Sequence, residues 1–152
     1  MNNFLKPELL APAGDFERLC AAIEYGADAV YLGSDRFGMR TAAASFGGDE
    51  LKEACDLAHK SGVKVYLTCN TVPRNNELDA LPAFVEYAKA SGVDAFIVTD
   101  IGVLGIIKKY APENEPYSVF LCGPAQMYAF VDKELEKLNL EKKYIRHEMF
   151  GE

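Results

Sequence analysis

The sequence predicts an α/β fold built on a parallel sheet of about five strands that alternate with helices. Three similar segments recur, each a glycine followed by a short β-prone run, at Tyr25–Leu32, Ser61–Leu67 and Ser91–Ile97. Their glycines, at positions 26, 62 and 92, lie 36 and 30 residues apart, which is the length of one strand–helix unit. The strand segments are continuous apolar runs, as expected for strands buried on both faces of a parallel sheet.

The stretches that precede these glycines have helical periodicity. Phe16, Leu19 and Ile23 lie on one face of the first predicted helix. Asp15 and Asp49 are expected to cap the first two helices, because a carboxylate accepts the N–H groups of a first turn. Each glycine is expected to end a helix in the left-handed conformation. The predicted order is strand 8–13, helix 15–25, strand 28–33, helix 49–61, strand 63–69, helix 77–91, strand 94–99, helix 101–110, strand 117–122 and helix 125–139.

Composition and charge exclude several classes of protein. The 152 residues are 49% hydrophobic and 26% charged, which is typical of a globular chain. A net charge of −7 argues against a general nucleic-acid binder. The sequence shows no secretory signal and no membrane span, so a cytoplasmic protein is predicted. No two of the four cysteines have the Cys-x-x-Cys spacing, and no metal site is predicted.

A candidate ligand site lies where the predicted strands end. The carboxyl ends of parallel strands form the usual binding edge of an α/β fold. Arg36, Arg40 and Arg74 fall in the loops after the second and third strands, and together they would clamp a small anionic ligand. The alternative is that these arginines are solvated and pair with Asp35 and Glu77.

Asn70 and Asp100 end predicted strands and are the catalytic candidates. The equal alternative is that they form hydrogen bonds to the next loop. No hydrolase constellation is recognisable around them. His59 lies late on a predicted helix, away from the strand ends, and His147-Glu148 is not followed by a second histidine, so it is not a zinc motif.

Much of the chain resembles one known family. The segments Glu8–Phe16, Tyr25–Gly33 and Arg36–Arg40, continued by Val63–Thr71 and Val93–Gly105, resemble the U32 peptidase family over about residues 7–112. That family is similar to TIM-barrel proteins, so the resemblance implies half a barrel plus one added strand–helix unit. Its members are called peptidases or collagenase-like proteases, and others take part in RNA hydroxylation and ubiquinone synthesis with an iron–sulfur cluster. The cysteines here do not match the cluster positions, so no such cluster is expected.

The last part of the chain resembles a different family. Tyr117–Met127 and Tyr144–Glu152 are similar to the end of ferredoxin reductase-type flavoproteins. The resemblance implies that Cys122, Gly123 and Pro124 lie beside a nicotinamide, and that Glu148 and Phe150 lie near a flavin. Flavin or NAD(P) binding is expected only together with domains that this sequence does not show. The alternative is an ordinary strand-to-helix turn followed by a frayed terminus.

Two resemblances in one chain suggest a chimera or a natural fusion. The predicted segments are 1–112 and 117–152, joined by a linker at 113–116, and the second is expected to pack on the first as a single domain. The sequence leaves three interpretations of function open. The first is a U32 peptidase-like barrel fragment without full catalytic activity. The alternatives are a fragment of an NAD(P)H-dependent flavin oxidoreductase and a non-catalytic engineered or recombined scaffold. Half a barrel would leave one apolar sheet face in water, so a homodimer is also predicted. The alternative is that the fifth strand–helix unit rewires the sheet, so that helices cover both faces of an open sheet.

Overall fold

The computed structural model describes residues 6–39, 45–110, 118–137 and 142–149. The chain divides into two compact units, residues 1–100 and 101–152. The predicted linker 113–116 lies outside the described residues, so the predicted domain boundary stays a prediction. The elements of the first unit are β1 (Leu10–Pro12), α1 (Phe16–Glu24), β2 (Ala29–Gly33), α2 (Asp49–Lys60), β3 (Lys64–Cys69), α3 (Asn75–Leu78), α4 (Leu81–Ser91) and β4 (Ala95–Val98). Those of the second unit are α5 (Ile101–Lys108), β5 (Val119–Gly123), α6 (Ala125–Lys137), a 3-10 turn (Lys142–Tyr144) and β6 (Ile145–Met149).

The four strands of the first unit form a parallel sheet in the order β1-β2-β3-β4. This confirms the predicted parallel arrangement of strands and helices. The prediction of one sheet with about five strands is wrong, because β5 pairs in parallel with β6 in a separate two-stranded sheet. The sequence pattern did not predict β6, whose polar residues hide its strand character.

One face of the four-stranded sheet is covered by helices. α1 packs on β1, α2 packs on β3, and α2 lies between α1 and α4. Alternate strand residues point into this layer and are at most 1% exposed, namely Val30, Leu32, Val65, Leu67 and Cys69. The residues between them, including Tyr31, Tyr66 and Thr68, are only half-buried. We call the face that meets the helices the closed face, and the other, which is less buried in the described residues, the open face.

Backbone conformation at the helix ends follows the predicted pattern, with one exception. Asp15 caps α1 by accepting a hydrogen bond from the Arg18 N–H at 2.8 Å, as predicted. Gly92 caps the end of α4 with a φ of 98°, and Gly26 has a φ of 84° after α1. The predicted cap at Asp49 is wrong. Gly48 takes the capping position with a φ of 54°, and Asp49 lies in the first turn of α2.

The predicted helix 77–91 is two helices in the structure. α3 ends at Leu78 and α4 begins at Leu81, with a turn between them. Pro82 occupies the first turn of α4, where its missing N–H is tolerated. Inside a continuous helix the same proline would remove a hydrogen bond and clash with the preceding turn, which explains the break.

A side-chain cluster ties the start of the chain to the third strand. Glu8, which precedes β1, accepts hydrogen bonds from Lys64 Nζ at 2.7 Å and from the Tyr66 hydroxyl. The small residue Ala29 lies on the intervening strand and is fully buried. The bonds from Lys64 and Tyr66 lower the pKa of the Glu8 carboxyl. Burial and the Glu8 contact raise the pKa of Tyr66.

Replacing Glu8→Gln is expected to lower stability by about 0.5–1 kcal/mol at neutral pH, the range for a solvent-screened charged pair. A carboxyl with a lowered folded pKa stabilises the fold above its unfolded pKa of about 4.3, and this contribution disappears as the pH falls through the folded pKa. The difference from the unsubstituted chain should therefore shrink in acid. Urea unfolding at several pH values measures it, with Glu53→Gln on the exposed side of α2 as control. A difference that stays constant across the acid range would contradict the assignment.

Candidate ligand-binding site

The carboxyl ends of β2, β3 and β4 lie at one edge of the sheet. The segments that follow them are Ser34–Met39, Asn70–Arg74 and Thr99–Asp100. Because the strands are parallel and adjacent in the order of the chain, these three segments are neighbours. This edge therefore brings together the loops that carry most of the predicted site residues of the first unit.

Hydrogen bonds join the three segments. The side-chain Oδ1 of Asn70 accepts a bond from the Met39 N–H at 2.9 Å. Thr71 donates both its N–H and its hydroxyl to the carbonyl oxygen of Phe37, each at 3.0 Å. The hydroxyl of Thr99 donates to the backbone oxygen of Asn70 at 2.9 Å. The strand ends thus form one bonded rim, and we call the three bonds between Phe37–Met39 and Asn70–Thr71 the rim latch.

Phe37 has a backbone conformation that is rare for its residue type. Its φ is 57°, in the left-handed region, which costs a non-glycine residue about 1–2 kcal/mol. The ring packs against Phe84 with centroids 5.1 Å apart. Next to it, a Cβ on Gly38 would lie 3.0 Å from the Ser34 carbonyl oxygen, so a side chain here would require the Ser34 backbone to shift. In the sequence only the polar pair Asn70-Thr71 signals this contact, and Phe37 and Met39 carry no such signal.

Arg36 and Arg74 lie on the two latched loops, and both are exposed. The Arg74 backbone N–H donates to the Glu77 carboxylate at 2.6 Å and caps α3, which is a different contact from the side-chain pairing considered above. Within the described ranges, neither guanidinium group forms an ion pair. Arg40, the third predicted anion-binding residue, lies outside those ranges.

The two catalytic candidates occupy different surroundings at this edge. Asn70 is half-buried, and its amide oxygen and its backbone oxygen both accept hydrogen bonds from neighbouring segments. Asp100 is half-buried two residues after the end of β4. The contacts of Asn70 match the alternative of bonding to the next loop, and a catalytic role for either residue stays a prediction.

The described part of this edge contains no pair of nucleophile and base. Ser34 directs its hydroxyl to the Arg36 carbonyl oxygen and to the Thr68 carbonyl oxygen. Cys69 is 1% exposed, and burial raises the pKa of its thiol to about 11, so it is protonated at neutral pH. The Nε2 atom of His59 lies 2.9 Å from the Asp94 carboxylate. Asp94 directly precedes β4, so this pair lies at the amino ends of the strands, away from the candidate site.

The second unit brings two of its predicted residues together. In the β5–β6 register, Cys122 is the partner of Glu148, and Gly123 is the partner of Met149. Glu148 therefore belongs to a paired strand rather than to a frayed terminus. Pro124 directly precedes α6, and the Gly123 N–H donates to the Tyr128 hydroxyl at 3.2 Å. Phe150 lies outside the described residues.

The described residues form neither a metal-binding group nor a membrane-spanning helix. Among the residues that the structure describes, no three histidine, cysteine, aspartate or glutamate side chains form a group that could hold a metal ion. In the same part of the chain, no helix is long and apolar enough to cross a bilayer.

Comparisons with known proteins agree with the first of the two resemblances. The model of peptidase family U32 matches residues 14–117. The tRNA hydroxylation protein P1 of Bacillus subtilis is 38% identical over 110 residues, which are 72% of this chain and 26% of that protein. A collagenase of Porphyromonas gingivalis is 34% identical over 98 residues, which are 64% of this chain and 24% of that protein. The chain thus spans about a quarter of the length of these curated relatives.

A solved structure shares the fold. The U32 peptidase Mk0906 superimposes with a TM-score of 0.60 at 13% sequence identity, covering 97% of this chain and 72% of that one. No comparison tests the oxidoreductase resemblance of residues 117–152 or the suggested chimera, and both stay predictions. The extent of the family match, together with a parallel strand–helix unit of the expected order, shows that the chain belongs to the U32 peptidase family.

Proposed function

We propose that the chain is a ligand-binding segment of a U32-type barrel, and that its strand-end rim binds a small anion with two acidic groups. The rim latch carries this proposal, because it bonds the loop of Arg36 to the loop of Arg74. Two guanidinium groups on latched loops offer paired donors to a dicarboxylate or a phosphate. The chain charge of −7 favours a local site of this kind over a broad anionic partner such as RNA.

We further propose that this segment does not hydrolyse peptides by itself. Some relatives are named for tRNA hydroxylation and others for proteolysis. The described rim supports the non-proteolytic alternative, because the Ser34 hydroxyl is bonded to carbonyl oxygens and the Cys69 thiol is buried and protonated. Purified chain should leave gelatin intact. Gelatin turnover that is lost on Ser34→Ala or Cys69→Ala would contradict this.

Calorimetric titration at constant ionic strength tests the anion site. We expect succinate and inorganic phosphate to bind, and acetate to bind at least tenfold more weakly because it carries one charge. Arg36→Gln and Arg74→Gln should each weaken binding about tenfold or more, which corresponds to the loss of one charge-assisted hydrogen bond. The control is Arg146→Gln, at an exposed arginine of the second unit.

Two results would overturn the anion site. The first is the absence of heat with both succinate and phosphate. The second is an equal loss of affinity in all three arginine variants, since this would show a general effect of charge rather than a site. Binding of phosphate without succinate would retain the site and restrict its ligand to phosphoryl groups.

We propose as a second candidate that the second unit is a fragment of an NAD(P)H-dependent flavin oxidoreductase that does not bind flavin by itself. The observation that favours it is the pairing of Cys122 with Glu148, because it sets both segments of the flavoprotein resemblance on adjacent strands. A two-stranded sheet with two helices offers little surface to enclose a flavin, so the purified chain should be colourless. Retention of visible flavin absorbance by the chain would contradict this.

We also propose that a second copy of the chain covers the open sheet face. β1 and β4 are the edges of a four-stranded parallel sheet, and two such sheets supply the eight strands of a closed barrel. A two-fold axis along the strands would place β4 of one copy beside β1 of the other in parallel. Tyr31, Tyr66 and Ile97, which are half-buried in one copy, would then face the interior.

A further inference from the structure

We infer that Asn70 and Thr71 are positioning residues that hold the Arg36 loop in its ligand-binding conformation. This inference rests on the proposed anion site and adds residues that do not themselves touch the ligand. Both side chains act on the backbone of the loop after β2, Asn70 through Met39 and Thr71 through Phe37. Arg36 directly precedes Phe37, so the latch fixes the chain on the carboxyl side of the arginine.

The strained backbone of Phe37 supports a positioning role. A phenylalanine with a φ of 57° persists only where its surroundings impose that conformation. Two bonds from Thr71 converge on the Phe37 carbonyl oxygen, and the Phe84 ring holds the Phe37 side chain. Without these contacts the residue would relax to a common conformation and turn the Arg36 backbone with it. The strained residue Phe37 is therefore the direct neighbour of Arg36, whose side-chain orientation determines whether it can bind the anion.

Two further hydroxyl groups of the rim, on Ser34 and Thr99, also help to hold the Arg36 loop. Ser34 donates its hydroxyl to the carbonyl oxygen of Arg36 itself. The backbone of Asn70 is held by the Thr99 hydroxyl at 2.9 Å, so the latch is anchored on β4 as well as on β3. The ends of β4, β3 and β2 are thus linked in series, and the last link is to the Arg36 loop.

Amide hydrogen exchange and succinate titration together test this inference. Asn70→Ala removes the acceptor of the Met39 N–H, and Thr71→Val removes one donor while keeping the side-chain shape. The control is Ser91→Ala, which removes a comparable hydroxyl bond to Tyr87 within α4. We expect Asn70→Ala to accelerate exchange of the Met39 amide at least tenfold. Both latch variants should weaken succinate binding about fivefold or more with the melting temperature changed by only a few degrees, and Ser91→Ala should alter neither.

A conservative variant provides the rescue. Asn70→Asp keeps an oxygen acceptor for the Met39 N–H, so slow exchange of that amide should return. Exchange is measured without ligand, so it tests the latch even if the unsubstituted chain fails to bind succinate, and that failure would count against the anion site alone. Unchanged Met39 exchange in Asn70→Ala overturns the inference. Fast exchange with unchanged succinate affinity in both latch variants overturns it too.

Discussion

Light scattering on dilute protein is expected to give twice the 16.7 kDa mass of one chain. The physical reason is the open face of the four-stranded sheet, where Tyr31, Tyr66 and Ile97 remain partly in water. A parallel sheet with helices on one face only leaves apolar surface that monomers rarely expose. Ile97→Lys places a charge on this face and should give a monomer.

The control for the dimer is a lysine at another exposed apolar residue. Phe130 on α6 is 60% exposed, and Phe130→Lys should leave the mass doubled. A monomer for the unsubstituted chain with a cooperative melting transition would contradict the dimer. A monomer for Phe130→Lys with a dimer for Ile97→Lys would show that the chains associate through the second unit instead.

Leu67→Ala is expected to destabilise the first unit by about 3 kcal/mol, within the range for leucine truncation in a core. Leu67 is fully buried on the central strand β3 and points into the helix layer. Removing three carbons there leaves a cavity between the sheet and α2, which close packing cannot fill without moving the helix. Chemical denaturation followed by circular dichroism measures the loss.

The matched control truncates a leucine of the same size at the surface. Leu9 precedes β1 and its side chain is 54% exposed. Its hydrogen bonds to Asp28 and Ala29 all use backbone atoms, which an alanine keeps. Leu9→Ala should therefore cost less than about 1 kcal/mol. Equal losses for the two substitutions would contradict the assignment of Leu67 to the closed face.

The recurring segments of a glycine followed by a strand predicted the first unit well, because residues close by in the sequence determine where its helices begin and end. Gly26, Gly62 and Gly92 all have positive φ, as a helix end before a buried strand requires. Asp15 caps its helix because the carboxylate reaches the first turn from that position. At the start of α2, Gly48 takes the capping position with a positive φ, so Asp49 falls inside the helix instead of capping it. Sequence spacing alone does not show which of these two neighbouring residues is the cap.

The location of the candidate site could be predicted from the sequence, but the conformation of its loops could not. Parallel strands fixed the edge where Arg36, Arg74 and Asn70 lie. The left-handed Phe37 was not predictable, because its conformation results from bonds to Thr71, 34 positions away in the chain. The strand at 145–149 was also missed, since its partner β5 determines it and its own composition does not.

The order of the strands has a consequence for how the chain folds during synthesis. Ala11 pairs with Val30, Val30 with Val65, and Leu67 with Phe96, so every strand of the first unit docks on a neighbour already made. The ribosome can therefore release each strand–helix unit onto a finished template, without waiting for later residues. Each nascent intermediate ends in an unpaired strand until the next one emerges. Slow translation through residues 34–63, before β3 appears, would prolong the stage most exposed to aggregation.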